Sequence, residues 1–442
     1  MTCVREAVVT IDKLVNGGAG FGRVDGKACF VHFTAPGDVA RFRVTAEKRS
    51  YVEGELIELL EASRLRVTPV CPVFGICGGC NWQHIAYSAQ IEQKEEIFAD
   101  LLWRSGRVER KHILPLIPAQ GPYGYRSRIQ LKIRIKDGRP HLGFFRTKSH
   151  DVVAVPDACA IAPDDINRII GKLRQLLQHL PEPHAVPQID VSRGDDGSAI
   201  IIVHYTGAGY AGFSEFLRKE NETLNFADGI FIRGKNRSIL DKVFGIEELS
   251  YRVPEDFIPG SSLKRLSFSK GGFSQVNYLQ NLQLVRLVWN WAELTGREKV
   301  LDLYCGNGNF TIPLAGFADC MVGFEEYGPS ITDARRNCEV NNISNVDFHC
   351  SDAALEVKKM ASAGARFDVI LLDPPRSGAA DVVSRIHELK PRAILYVSCD
   401  PATLARDVGI LKKNNYEVVR CQPVDMFPQT YHTESVTLLK PV

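Results

Sequence analysis

From about Pro259 to its end, this chain alternates short apolar runs with helical patterns, and that alternation is what most limits its fold. Such a repeat asks for an α/β layer structure in which strands and helices form one domain. Lys299-Val-Leu-Asp-Leu-Tyr304 reads as a strand, and Cys305-Gly-Asn-Gly-Asn-Phe310 as the turn that leads into a helix. Glycines in that turn permit a tight bend and the close approach of a nucleotide-like ligand. Thr311 stands where a dinucleotide fingerprint places its third glycine, so the turn alone is a weak signal. Glu325, which ends the next strand, is placed to bind two ribose hydroxyls, and Asp352, after the third strand candidate, could meet an adenine amino group. Acidic side chains at strand ends seldom serve only a core.

Cys399 follows the apolar run Ala393 to Val397 and precedes Pro401 and a helical pattern from Ala402 to Leu411. A free cysteine has a pKa of about 8.5 and is a poor nucleophile until dipoles or positive charge favour its thiolate. A strand end facing a helix N-terminus is expected to do so. A lone cysteine is more often a core residue. Here Leu372-Asp-Pro-Pro-Arg376 upstream and Thr433-Glu-Ser435 downstream turn the reading towards a nucleophile.

The 442 residues, 45% of them hydrophobic, suffice for two or three domains. Lys+Arg 54 against Asp+Glu 52 leaves a net charge of +2, so a polyanion must be held by local basic patches. Met1-Thr-Cys-Val-Arg-Glu6 has no apolar core of signal-peptide type, and no apolar run approaches a membrane span, so a cytoplasmic location is expected. The chain is expected to be a monomer. The 12 cysteines are too dilute for a disulfide scaffold, so clusters among them point to metal or catalysis.

Residues 1–64 read as short strands punctuated by Asn16-Gly-Gly-Ala-Gly20, Asp25-Gly26 and Pro36-Gly-Asp38, which is the pattern of a small antiparallel, OB-like barrel. Phe21, Arg23, Phe30 and His32 are its candidate oligonucleotide contacts. Next, Cys71, Cys77 and Cys80 make C-x5-C-x2-C in a glycine-rich loop, and Cys159 stands alone in Val155-Pro-Asp-Ala-Cys-Ala160. Four thiolates can close around a [4Fe-4S] cluster or around zinc. The glycines let amides point at the sulfurs, which suits a cluster slightly better, but spacing leaves both open. Cys3, Cys29, Cys320, Cys338, Cys350 and Cys421 have no such grouping and read as core or incidental thiols. Ser88 to Arg104 reads as an amphipathic helix. Alternation from Arg126 to Lys136 puts Arg126, Arg128, Gln130, Lys132, Arg134 and Lys136 on one strand face, a candidate phosphate rail.

Taken in order, Phe273-Ser-Gln-Val-Asn277, Asp302-Leu-Tyr-Cys-Gly-Asn-Gly308, Asp373-Pro-Pro-Arg376, Ser398-Cys-Asp-Pro-Ala-Thr403 and the Glu434 segment resemble the RNA uracil-5 methyltransferase family. Gly20-Phe-Gly-Arg23 and its barrel pattern resemble a TRAM module. With the four cysteines, the layout is most similar to the 23S ribosomal RNA branch that carries a [4Fe-4S] cluster. The resemblance implies three parts: the barrel (1–64), a central α+β cluster and RNA-binding domain (65–258, with 88–122 packing on its neighbour), and a class I S-adenosylmethionine-dependent domain (259–442) of Rossmann-like fold.

By the same resemblance, Gln275, Tyr304, Asn309, Glu325, Asp352 and Asp373 would line the S-adenosylmethionine site, Cys399 would attack carbon 6 of uracil, and Glu434 would remove the carbon 5 proton. His432 is a reserve base. Arg126, Arg128 and Arg376 are candidate RNA contacts, and the partner is RNA, ribosomal in preference to transfer RNA. Two other classes compete. An amino-group methyltransferase also uses Asp-Pro-Pro but needs no thiol, and a non-catalytic RNA-binding iron-sulfur protein would not need Glu325, Asp352 and Glu434 together.

Overall fold

The computed structural model describes residues 5–234 and 240–442; Cys3 lies outside the described residues. The first strand, Glu6–Thr10, pairs with Val39–Glu47, and its continuation Lys13–Leu14 pairs with Gly20–Val24. Because one stretch of chain borders both ends of the six-stranded sheet, the sheet curls into a barrel. Val9, Ile11, Val31, Phe42 and Val52 fill it. Gly54 is required there, since a methyl group at that position would fall 2.0 Å from the Phe42 ring.

A seven-stranded sheet forms the central part, with the strands Ala199–His204, Gln188–Arg193 and Arg128–Lys136 in its middle. Alternation along Ala199–His204 explains how it packs on both faces. Ile201 and Val203 meet Leu173, Leu177 and Phe213 of the helices Asp164–His179 and Tyr210–Leu224, whereas Ile200 and Ile202 enter the core of the C-terminal part. Glu248–Val253 pairs with Lys264–Ser269, so this ribbon straddles residue 258 and packs with the C-terminal core.

The C-terminal sheet has seven strands, which we number β1 (Lys299–Leu303), β2 (Cys320–Glu325), β3 (Val346–Cys350), β4 (Val369–Leu372), β5 (Ala393–Ser398), β6 (Tyr416–Val424) and β7 (Glu434–Pro441). Their order is β3-β2-β1-β4-β5-β7-β6. The first five in space are parallel, and β7 inserts antiparallel between β5 and β6. The sequence places the last two strands at Tyr416 to Val419 and Val436 to Leu439; the structure extends both, which brings Val424 opposite Glu434. The helix Tyr87–Gly106 lies against the helix Pro401–Lys413, burying Phe98 and Leu102 in the C-terminal core, and Ile113 and Ile117 bridge to Cys421 and Val424 of β6. Among the described residues, no helix is long and apolar enough to cross a membrane.

Candidate active site and four-cysteine site

A parallel sheet puts the loops after its strands on one edge, and that edge is where the sequence motifs fall. Tyr304 leaves β1, Glu325 closes β2, Asp352 follows β3, Asp373 follows β4 and Cys399 follows β5. Glu434 reaches the same edge because β7 runs the other way and begins there. Ser398 pairs with Ser435, so Cys399 and Glu434 are the next residues outward on neighbouring strands. All six line one cavity of about 790 Å³, together with Gln275, Asn309, Arg126, Arg128 and Arg376. Tyr304 holds φ at +67°, a left-handed conformation that is costly for a side chain and typical of a functional turn. Asp352 caps the helix Ala353–Ser362 by accepting from the Leu355 N–H at 2.7 Å, and Glu325 accepts from the Tyr327 N–H at 2.8 Å. Asn309 lines the cavity with its amide already paired: it exchanges hydrogen bonds with Asn281 at 2.8 and 2.9 Å and accepts from the Tyr251 hydroxyl.

The cavity concentrates acids. Burial, and then repulsion from Glu325, pushes Asp373 up to about 7 although part of its surface opens to the cleft. Burial holds Glu434 well above the usual carboxylate range, with Asp373 adding to the effect and Arg376 opposing it. One oxygen of Glu434, Oε1, is buried with no hydrogen-bond partner among the described residues. Cys399 departs from the expected thiolate. Burial pushes its thiol up to about 12, Glu434 and Asp373 push the same way, and Arg376 pulls it down. The helix N-terminus that should have favoured the anion is taken, because Asp400 accepts from the Ala402 and Thr403 N–H groups at 2.9 Å each.

Cys71, Cys77, Cys80 and Cys159 converge on a separate, small space of about 70 Å³. The Gly79 N–H donates to Cys77 Sγ at 3.4 Å, and the Cys71 N–H is held by Gln83 at 3.0 Å. Among the described residues, no three His, Cys, Asp or Glu side chains are drawn together closely enough to grip a metal ion. Burial pushes Cys77 up to about 11 and Cys80 up to about 12. Arg126 lines this space as well as the strand-end cavity.

Along the expected rail, apolar and polar positions do alternate, with Ile129, Leu131 and Ile133 buried between Arg128, Gln130, Lys132 and Arg134. Arg128 is nevertheless engaged internally, donating to Ser192 Oγ at 3.0 Å and to the Gly272 carbonyl. Lys132, Arg146, Lys148 and His150 border an open groove that Arg126 and Arg128 connect to the strand-end cavity. In the barrel, Arg23 lies over the Phe21 ring, and Phe30 and His32 face the cleft between barrel and cysteine loop.

A model of the tRNA (Uracil-5-)-methyltransferase family matches residues 86–442, and one of the TRAM domain matches residues 4–57. The chain belongs to the tRNA (uracil-5-)-methyltransferase family. As a member, it is an RNA uracil-5 methyltransferase with a class I S-adenosylmethionine-dependent fold and an N-terminal TRAM barrel. It is 35% identical to the 23S rRNA (uracil(1939)-C(5))-methyltransferase RlmD of Edwardsiella ictaluri, over 98% of this chain and 95% of that one. It is 34% identical to an RNA methyltransferase of Thermosynechococcus vestitus, over 97% and 96%. Among solved structures, Pyrococcus abyssi tRNA (uracil-54, C5)-methyltransferase in complex with S-adenosyl-L-homocysteine superimposes with a TM-score of 0.73 at 26% identity, covering 98% of this chain and all of that one.

Sequence reasoning missed a charged pair behind this site in the uracil-5 methyltransferase fold. Lys94 and Asp425 form an ion pair at 2.5 Å with neither side chain exposed. A signal existed, since Lys94 falls between Ile91 and Phe98 on the helix stripe that should be apolar.

Proposed function

We propose that this enzyme methylates carbon 5 of a uridine in 23S ribosomal RNA, with Cys399 as nucleophile and Glu434 as base. One observation carries the assignment: a thiol and a buried carboxyl with an unpartnered oxygen lie side by side at the edge of the cavity where the strand-end acids gather. An amino group would need neither, because its lone pair attacks unaided.

Carbon 5 of uracil is too weak a nucleophile to take a methyl group directly. Adding the Cys399 sulfur to carbon 6 turns the ring into an enolate whose electron density sits on carbon 5. S-adenosylmethionine supplies an electrophilic methyl group beside a cationic sulfur. Glu325 suits its ribose, Asp352 its adenine, and Asp373 with Gln275, Tyr304 and Asn309 the remaining walls. Once carbon 5 carries both a methyl group and a hydrogen, Glu434 takes the proton, the carbon 5–carbon 6 double bond re-forms and the thiolate leaves. The net change is one carbon–hydrogen bond replaced by a carbon–methyl bond, with one proton passed to solvent. Burial, with Glu434 and Asp373, disfavours the thiolate, so attack is favoured once incoming positive charge offsets them. A uridine within a helix must be flipped out to reach this cavity, which favours loops.

For the four-cysteine space we propose a [4Fe-4S] cluster. Four thiols facing one space, with a backbone N–H directed at a sulfur, support it, and the reaction, being redox-neutral, leaves it an organising part for Cys71, Cys77, Cys80 and Cys159. The basic groove joined by Arg126, and Arg376 at the cavity mouth, are the proposed RNA contacts, and the cytoplasm is the proposed compartment. The ribosomal target is favoured over transfer RNA because RlmD enzymes share 32–35% identity with this chain over nearly all of it, against 26% for the transfer RNA enzyme. Unmodified transcripts of 23S ribosomal RNA and of transfer RNA, incubated with enzyme and S-adenosylmethionine and digested to nucleosides, test this. The expected result is 5-methyluridine in the ribosomal transcript. Product in transfer RNA alone overturns the target assignment.

A further inference from the structure

The loop 425–433 joins β6 to β7 and delivers Glu434 to the cavity. Val424 lies opposite Glu434 in the ladder, so Asp425 is the first residue beyond the base's own cross-strand neighbour. Lys94 donates to Asp425 Oδ1 at 2.5 Å, and the Tyr87 hydroxyl donates to Asp425 Oδ2 at 2.8 Å while accepting from the Ala119 N–H at 2.8 Å. Lys94 also donates to the Phe427 carbonyl at 3.0 Å, and the Phe427 ring lines the catalytic cavity. A charge pair with no exposed surface adds little net stability, because desolvation offsets its attraction; its best-attested use is to fix register. The register fixed here is that of the loop leading to Glu434.

We propose that Lys94, Asp425 and Tyr87 form a positioning latch. It sets the height of the 425–433 loop so that the Glu434 carboxylate meets the carbon 5 proton of the adduct. Lys94 touches neither RNA nor cofactor in this scheme and is a positioning residue. The inference rests on reading Glu434 as the base, and it predicts a specific defect: release of methylated product slows more than methyl transfer does.

The test uses full-length enzyme, S-adenosylmethionine and an unmodified 23S ribosomal RNA transcript, quenched in denaturant at intervals. Covalent protein–RNA adduct is read on a gel, and 5-methyluridine is read by mass spectrometry. Glu434→Gln serves as the reference and must accumulate methylated adduct; if it does not, the base assignment falls and the latch with it. Lys94→Met is expected to accumulate the same adduct, with release slowed about ten- to a hundredfold, the scale of a misplacement of roughly 1 Å. Tyr87→Phe, which removes one hydroxyl, shifts the same ratio in the same direction by less. The double variant Lys94→Met/Asp425→Asn removes both charges and is expected to regain thermal stability without regaining release. A purely structural pair would recover both. Equal slowing of transfer and release in Lys94→Met and Tyr87→Phe, or normal release in the double variant, overturns the proposal.

Discussion

In the cavity at Cys399, Tyr304, Glu325, Asp352, Asp373, Cys399 and Glu434 stand at the ends of six strands of one sheet, whereas Cys71, Cys77, Cys80 and Cys159 all sit on loops, their space closed by strand residues such as Ile129, Phe144 and Val153. In the first, the sheet ladder brings Cys399 beside Glu434 before any ligand arrives, and the loops after the other strands carry the remaining groups. Cys399 and Glu434 cannot drift apart without breaking the β5–β7 pairing. In the second, four thiols are brought near one another by turns, and their final spacing is left to whatever they bind. On the proposed function, preorganisation is placed where a transition state must be met, and adaptability where a ligand can do the organising.

If the strand-end cavity is the chemical centre, Cys399→Ala has the largest effect on it. Activity should fall on the order of 10⁴- to 10⁶-fold, as when a nucleophile that acts as part of a unit is lost, and the denaturant-stable RNA adduct should vanish. Methylation without any adduct in the parent enzyme would break the comparison outright. Glu434→Gln should be smaller and different in kind: transfer proceeds, and release slows by about 10²- to 10⁴-fold, the range for a general base. Gel-resolved adduct that accumulates and carries 5-methyluridine confirms it, whereas a variant with neither product nor adduct assigns Glu434 to an earlier step.

The loop-walled site should respond through stability. Anaerobically purified Cys159→Ser is expected to lose iron and visible absorbance, and to melt roughly 5 °C lower, as about 1–2 kcal/mol does in a domain of this size. Its single-turnover methyl transfer at saturating RNA should change far less than that of Cys399→Ala. A variant that keeps its iron and its melting temperature shows that Cys159 is no ligand. Iron and sulfide analysis of the parent protein separates a cluster from zinc.

The same contrast explains what could be read from the sequence. Motifs at 302–309, 325, 352, 373 and 399 could be assembled into one site because a parallel sheet sends the loops after its strands to a common edge. Cys71, Cys77, Cys80 and Cys159 could be grouped, but no periodicity says how far apart turns leave their sulfurs. The thiolate expected at Cys399 is opposed first by burial and then by Glu434 and Asp373, which the local sequence does not announce, while Asp400, the next residue, uses the helix N–H groups itself. Arg128 sits on the face that alternation assigns to it, yet alternation cannot reveal that Ser192 and Gly272 cover that end of the strand. Lys94 and Asp425 are 331 residues apart, and each alone passes for an ordinary surface charge.

The smallest expected effect is a proton count, and it probes the strand-end cavity in the parent enzyme first. Asp373 has its pKa raised from 3.8 to about 7, first by burial and then by Glu325. A carboxyl raised in this way favours the fold below pH about 4, where both states hold the proton, and loses that contribution as pH climbs towards 7. In the apoenzyme it should therefore be partly protonated near neutrality. A sulfonium placed beside it lowers the pKa again, so S-adenosylmethionine should displace a fraction of a proton between pH about 5 and 7, and bind more tightly as pH rises through that window. S-adenosylhomocysteine has the same adenosine and amino-acid ends but no positive sulfur, and should displace less. Calorimetry in two buffers of different ionisation heat measures the difference directly. Asp373→Asn should abolish most of it. Equal proton release by the two ligands means that Asp373 does not face the methyl-bearing sulfur, and that the acids of this cavity serve the adenosine end alone.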